Sequence, residues 1–113
     1  MLAMDSEDLP RVRKNEIIQW CSELGLTYED DEFLGLLYVF TDVSKTQEPY
    51  ATFRRVEDEF YVLNSVESGT SWAYYGVNNT SDVQRAIESC EIRVSNMKKL
   101  ADLLRKYKVE EVI

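Results

Sequence analysis

The chain has 113 residues, 44% of them hydrophobic and 30% charged, with seven tyrosines, four phenylalanines, two tryptophans, no histidine and a net charge of −8. That length and apolar content fit one domain with one core and exclude a disordered chain, while the negative charge disfavours nonspecific binding to nucleic-acid phosphates or anionic membranes. No apolar run approaches the roughly 18 residues that cross a bilayer, and the missing histidine excludes Ser-His, Cys-His and His-based zinc chemistry.

Residues 1–9 are polar and acidic and are expected to fray; they carry neither the basic nor the apolar part of a secretory signal, so a cytoplasmic location is expected. Pro10 suits a helix start, and Ile17, Trp20, Cys21 and Leu24 recur at the i, i+3, i+4, i+7 spacing of one buried face. Gly25 supplies the stop, so the spacing predicts a first helix from Val12 to Leu24. Leu26–Glu32 could open with a short strand before an acidic turn. Phe33–Thr41, Tyr50–Val56, Phe60–Val66 and Ser71–Val77 read as strands from their β-branched and aromatic content. The short charged turn Glu57-Asp58-Glu59 marks a hairpin between the second and third of these.

Thr80 or Ser81 is the expected cap of a final helix. Within it Val83, Ile87, Cys90, Val94, Met97, Ala101 and Leu104 step alternately by four and three, a 3.5-residue repeat. Either this helix is unbroken and its far half packs on something beyond the meander, or it breaks near Ser95-Asn96. Between Val83 and Lys108 seven bases face three acids, so this stretch carries +4 and the remainder −12. The predicted fold is a single α+β domain over residues 1–113: an N-terminal helix, a four-stranded antiparallel meander and a long C-terminal helix, unbroken or broken near Asn96.

Little in the chain signals catalysis. Cys21 and Cys90 are too far apart for a CxxC site and fall on apolar helical faces, so both are expected as buried thiols. The four glycines form no phosphate-binding loop. The run Glu29-Asp30-Asp31-Glu32 lacks the alternation and central glycine of a calcium loop and reads as a solvated turn. No catalytic residue, cofactor or metal ligand is expected.

Two surfaces are candidates for binding another protein. The strands carry too many aromatics for all to face one helix layer, which makes Tyr50, Tyr61, Trp72 and Tyr74 candidates on an exposed sheet face. Met97, Leu100 and Leu104 are candidates on the C-terminal helix, most simply in a homodimer.

The segment Ile17-Ile18-Gln19-Trp20-Cys21-Ser22-Glu23-Leu24-Gly25-Leu26-Thr27-Tyr28, followed by acids and then Leu36-Leu37-Tyr38-Val39-Phe40, resembles the opening of the YbjN-like and type III secretion chaperone-like proteins. The resemblance implies a helix, an antiparallel meander and later helices in a non-catalytic, often dimeric protein that binds other proteins. The basic C-terminal helix departs from that pattern. The leading expectation is therefore a protein-binding chaperone, adaptor or inhibitor that contacts neither nucleic acid nor membrane. The alternative is an acidic inhibitor that mimics nucleic acid, as phages make, with the −12 outside the last helix supplying the charge.

Overall fold

The chain joins its sheet before it forms its first helix. In the computed structural model, which describes residues 9–41, 49–67, 74–77, 79–91 and 95–112, Val12–Arg13 is a short strand, β1, paired antiparallel with Tyr61 and Phe60. Helix α1 runs Lys14–Leu24, two residues later than the expected start at Val12. Val12 is the reason: it is β-branched and buries its side chain as a strand residue, at 2% exposure. The N–H of Arg13 donates to Glu16 Oε1 at 3.1 Å, tying the strand end to the first helical turn. Pro10 thus lies in the extended lead-in. At the far end Gly25 stops the helix as expected, in the left-handed conformation at φ 73°, and the Leu26 N–H returns to the Cys21 carbonyl at 2.8 Å.

Strands β2 (Thr27–Asp31), β3 (Leu36–Phe40), β4 (Ala51–Glu57), β5 (Phe60–Glu67) and β6 (Tyr74–Gly76) follow as an antiparallel meander. The sheet order is β1-β5-β4-β3-β2, and β6 also pairs with β5. Since β4 occupies one side of β5, β1 and β6 share the other. The expected four-stranded meander is thereby extended by β1 and by a full-length β2, whose acids disguise it as a turn. The β4–β5 hairpin closes without an Asn-Gly pair because Asp58 takes a left-handed φ of 47°, a conformation Asp tolerates better than most residues. Of the last expected strand, residues 71–73 lie outside the described residues.

The C-terminal helix is two helices, α2 (Thr80–Glu91) and α3 (Ser95–Val112). The break falls just before Ser95-Asn96, a pair suited to starting a helix. The cap of α2 is one residue earlier than expected: Asn79 Oδ1 accepts the Asp82 N–H at 3.1 Å. The 3.5-residue repeat is therefore not a continuous seam. In α3, Leu100, Leu103, Leu104 and Tyr107 are all fully buried, at the i, i+3, i+4, i+7 spacing of an ordinary core-facing helix. Leu103 and Tyr107, which the heptad leaves off its seam, are as deeply buried as Leu104.

Trp20 of α1 and Phe53 of β4 both meet the Tyr107 ring edge-on, with centroids 6.5 and 5.6 Å apart. Helices α1 and α3 therefore cover the same sheet face. Trp20 is buried, and Leu24 is half-buried against the core. Across the rim, Lys106 Nζ donates to Glu23 Oε1 at 2.8 Å and holds that carboxyl below its usual pKa. Cys21 and Cys90 are both buried and form no disulfide.

Tyr107 also completes the sheet. The β4–β5 register slips where Thr52 pairs with Ser65 but Phe53 with Leu63, so Asn64 is an extra residue on β5. Between the short pairings of β1 and β6 the outer edge of β5 has no strand beside it among the described residues. There the Leu63 N–H donates to the Tyr107 hydroxyl at 3.0 Å, and the hydroxyl donates to the Pro10 carbonyl at 2.8 Å. One phenol oxygen satisfies two backbone groups. Tyr107→Phe keeps the ring and removes that oxygen, so it is expected to cost about 1–3 kcal/mol, read as a lower urea midpoint with accelerated hydrogen exchange at the Leu63 amide.

Candidate protein-binding surface

Where a strand pair ends, a sequence can either bury its apolar turn residues or present them, and the β2–β3 turn presents them. Its backbone is held by four hydrogen bonds. The Gly35 N–H donates to the Asp31 carbonyl at 2.9 Å and the Leu34 N–H to Asp31 Oδ1 at 3.1 Å. From the neighbouring strand, the Arg55 N–H donates to the Gly35 carbonyl at 2.8 Å and Arg55 Nη2 to the Glu32 carbonyl at 3.4 Å. Gly35 sits at φ 71°, a left-handed conformation that favours glycine. On this fixed turn Phe33 is 94% exposed and Leu34 59%, the exposed large hydrophobic side chains among the described residues. Burying a Phe side chain stabilises a fold by about 1.5–3 kcal/mol; here that gain is left unused.

Beside the turn, α1 and β2 enclose an open groove of about 600 Å³. Ile18, Cys21, Leu26 and Tyr28 give it apolar walls, and Asp30 lines it as well. Asp30 faces α1 because its partner Leu37 is on the buried face of β3, and there it pairs with Lys14, with Glu32 3.7 Å from the same ammonium. One oxygen of the Asp30 carboxylate meets Lys14; the other, Oδ1, is buried and has no hydrogen-bond partner among the described residues. The bond to Asp30 is the main cause of a raised Lys14 pKa, against the opposing effect of burial. Burial pushes the Cys21 thiol up to about 12, so it stays protonated near neutrality and is no nucleophile. Among the described residues no group of three or more His, Cys, Asp or Glu side chains could hold a metal ion, and no helix is long and apolar enough to cross a membrane.

The residues singled out by sequence do not come together as one surface. Tyr61 is 2% exposed and belongs to the core: it pairs across β4 with Arg55 and across β1 with Val12, which places its ring under the helices. Tyr50 is half-buried against the core. Leu100 and Leu104 are fully buried within the same molecule, because the break before Ser95 turns α3 back onto the sheet; the uncovered apolar stripe that motivated a homodimer contact is not there at these two positions. Trp72 and the side chains of Tyr74 and Met97 lie outside the described residues. Phe33 and Leu34 were missed because the apolar run Phe33–Thr41 reads as one strand, whereas the strand begins at Leu36. Gly35 inside that run, preceded by four acids, is the signal that places the turn.

No protein-family model matches the chain, and comparison with curated proteins and with solved structures returns no similar one.

Lys14 reports on the groove through pH. A lysine pKa raised by folding gives stability that is complete below the unfolded value of about 10.4 and disappears as pH rises through the folded one. Lys14→Met is therefore expected to destabilise by about 1–3 kcal/mol near neutrality. The gap to wild type, followed by urea unfolding, should stay level between about pH 6 and 9 and shrink above about pH 10.5.

Proposed function

We propose that this protein is a non-catalytic protein-binding module, a chaperone, adaptor or inhibitor, whose contact is centred on the Phe33–Leu34 turn. The observation that carries this reading is a 94% exposed phenylalanine on a turn held by four hydrogen bonds. A pre-ordered turn loses little conformational freedom on binding. Large aromatic side chains that enter a partner's pocket dominate interface energetics. The acids of β2 and its turn add a field that steers a basic partner and accelerates its association. The order of helix, meander and helices supports the same reading, being the order found in the chaperone-like proteins that the N-terminal half resembles.

Mimicry of nucleic acid draws less support. It needs a row of available carboxylates spaced like phosphates. Along β2, Asp30 is engaged by Lys14 and Asp31 by the Leu34 amide.

The test separates folding from binding. Phe33→Ser and Leu34→Ser remove side chains that touch little, so unfolding free energy should change by less than about 0.5 kcal/mol. A photo-crosslinking amino acid at position 33 should trap the partner in cells that make the protein. Affinity for that partner, measured by calorimetry, should fall at least tenfold in Phe33→Ser, about 1.4 kcal/mol. Unchanged affinity in both variants would place the contact elsewhere.

A further inference from the structure

The outer side of β2 at Tyr28 and Asp30 has the form of a receptor for a strand. β2 ends the sheet among the described residues. The direction of its backbone groups follows from its neighbours. The Gly35 and Val39 carbonyls accept from Arg55 and Tyr50 on the β4 side, so the odd-numbered residues of β3 face β4 and the even-numbered ones face β2. Tyr38 pairs with Glu29 and Leu36 with Asp31, which turns Glu29 and Asp31 inward to β3. The N–H and C=O groups of Tyr28 and Asp30 then point away from the sheet. They open beside the groove whose far wall is Ile18 and Cys21 of α1.

We infer that this edge and groove bind an extended peptide of alternating apolar and basic residues, taken up as an added strand between β2 and α1. The proposal rests on the protein-binding role above and extends it from the turn to the strand that leads into it. A strand laid along residues 27–30 covers about 13 Å at 3.3 Å per residue, and Tyr28 and Asp30 offer it two donors and two acceptors. Side chains on its helix face enter the apolar groove of Ile18, Cys21 and Leu26. Those on its other face lie beside Glu29 and Asp31, where opposite charges stabilise a cross-strand pair and like charges oppose it. The same charges argue against a second copy as occupant, since two β2 strands side by side would set carboxylate against carboxylate. Asp30, which lines this groove, has a second oxygen, Oδ1, with no donor among the described residues.

The probe is a fluorescein-labelled Val-Lys-Val-Lys-Val-Lys peptide, its binding to the whole protein read by fluorescence anisotropy. Saturable binding below about 1 mM is expected, with amide shifts in ¹⁵N spectra centred on Tyr28 and Asp30. Two further peptides carry N-methyl groups on the valines or on the lysines. Because only alternate residues of a bound strand face β2, one set should lose at least about tenfold in affinity and the other less than about twofold. A Val-Glu-Val-Glu-Val-Glu peptide should bind at least about tenfold more weakly than the basic one. Absence of binding at about 1 mM, equal loss in both methylated sets, or equal binding of the acidic peptide each overturns the proposal. The peptide has no pocket for Phe33, so Phe33→Ser should leave its affinity within about twofold. Loss of partner binding in that variant with no peptide binding in wild type would overturn strand uptake alone. Peptide binding with partner affinity indifferent to Phe33 and Leu34 would overturn the turn-centred reading alone.

Discussion

Tyr107 stands where the outer edge of β5 opens between β1 and β6, and its hydroxyl there joins Leu63 to Pro10. The bulge at Asn64, the arrival of the chain at Pro10 and the docking of α3 are separate features that meet at this one oxygen. The bulge lies on β5 between the pairings of the two short strands of that edge. β1 and β6 do not make one continuous strand, and a side chain from a helix spans the gap. Around it the ring contacts of Trp20 and Phe53 fix the rotation of α3, because a hydrogen bond aimed from a ring tip tolerates little turning of the helix that carries it. Lys106, the preceding residue, then faces Glu23 on α1. The bundle of helices over the sheet is oriented from this point outward.

On the opposite edge, the surface offered for binding follows from what the fold does not use. β2 is acidic and half-buried, kept in the sheet by its register with β3 and by the Lys14–Asp30 pair. Negative charge along an edge strand is a common protection against sheet-to-sheet aggregation. On the proposed reading the same charge would favour a partner of opposite sign over a second copy of the chain. The exposed Phe33 at the end of that strand is placed where the same partner would meet it.

The alternation of apolar residues showed where the helices and most strands lie, because burial on one side imposes its period on the sequence. Ile17, Trp20 and Cys21 give α1, and Ala51 and Phe53 give the inner face of β4. Periodicity failed where one pattern served two structures. The heptad from Val83 to Leu104 is a pair of shorter 3.6-residue stripes joined across residues 92–94, and only the contacts of Leu103 and Tyr107 reveal the second stripe. β2 was obscured by its charges, since an edge strand needs few apolar residues and can read as a loop. Among the aromatics expected on an exposed sheet face, Tyr61 was misplaced for a related reason: neighbouring tyrosines point to opposite sides, but sequence alone does not say which side is covered. Tyr61 proved to be on the covered side, and the turn that bears Phe33 lay hidden within an apparent strand.

The bond between Pro10 and Tyr107 joins residues 97 positions apart. A contact of such separation closes a very long loop, and its entropy must be lost before the contact can contribute. During synthesis the meander can pair as it emerges and α1 can cover its share of the inner face, but the part of that face under α3 and the gap in β5 stay open until α3 follows. For that interval the nascent chain presents an unfinished sheet, with an unpaired edge and bare apolar residues together. A chain at that stage is open to misassociation through the surface that α3 later covers.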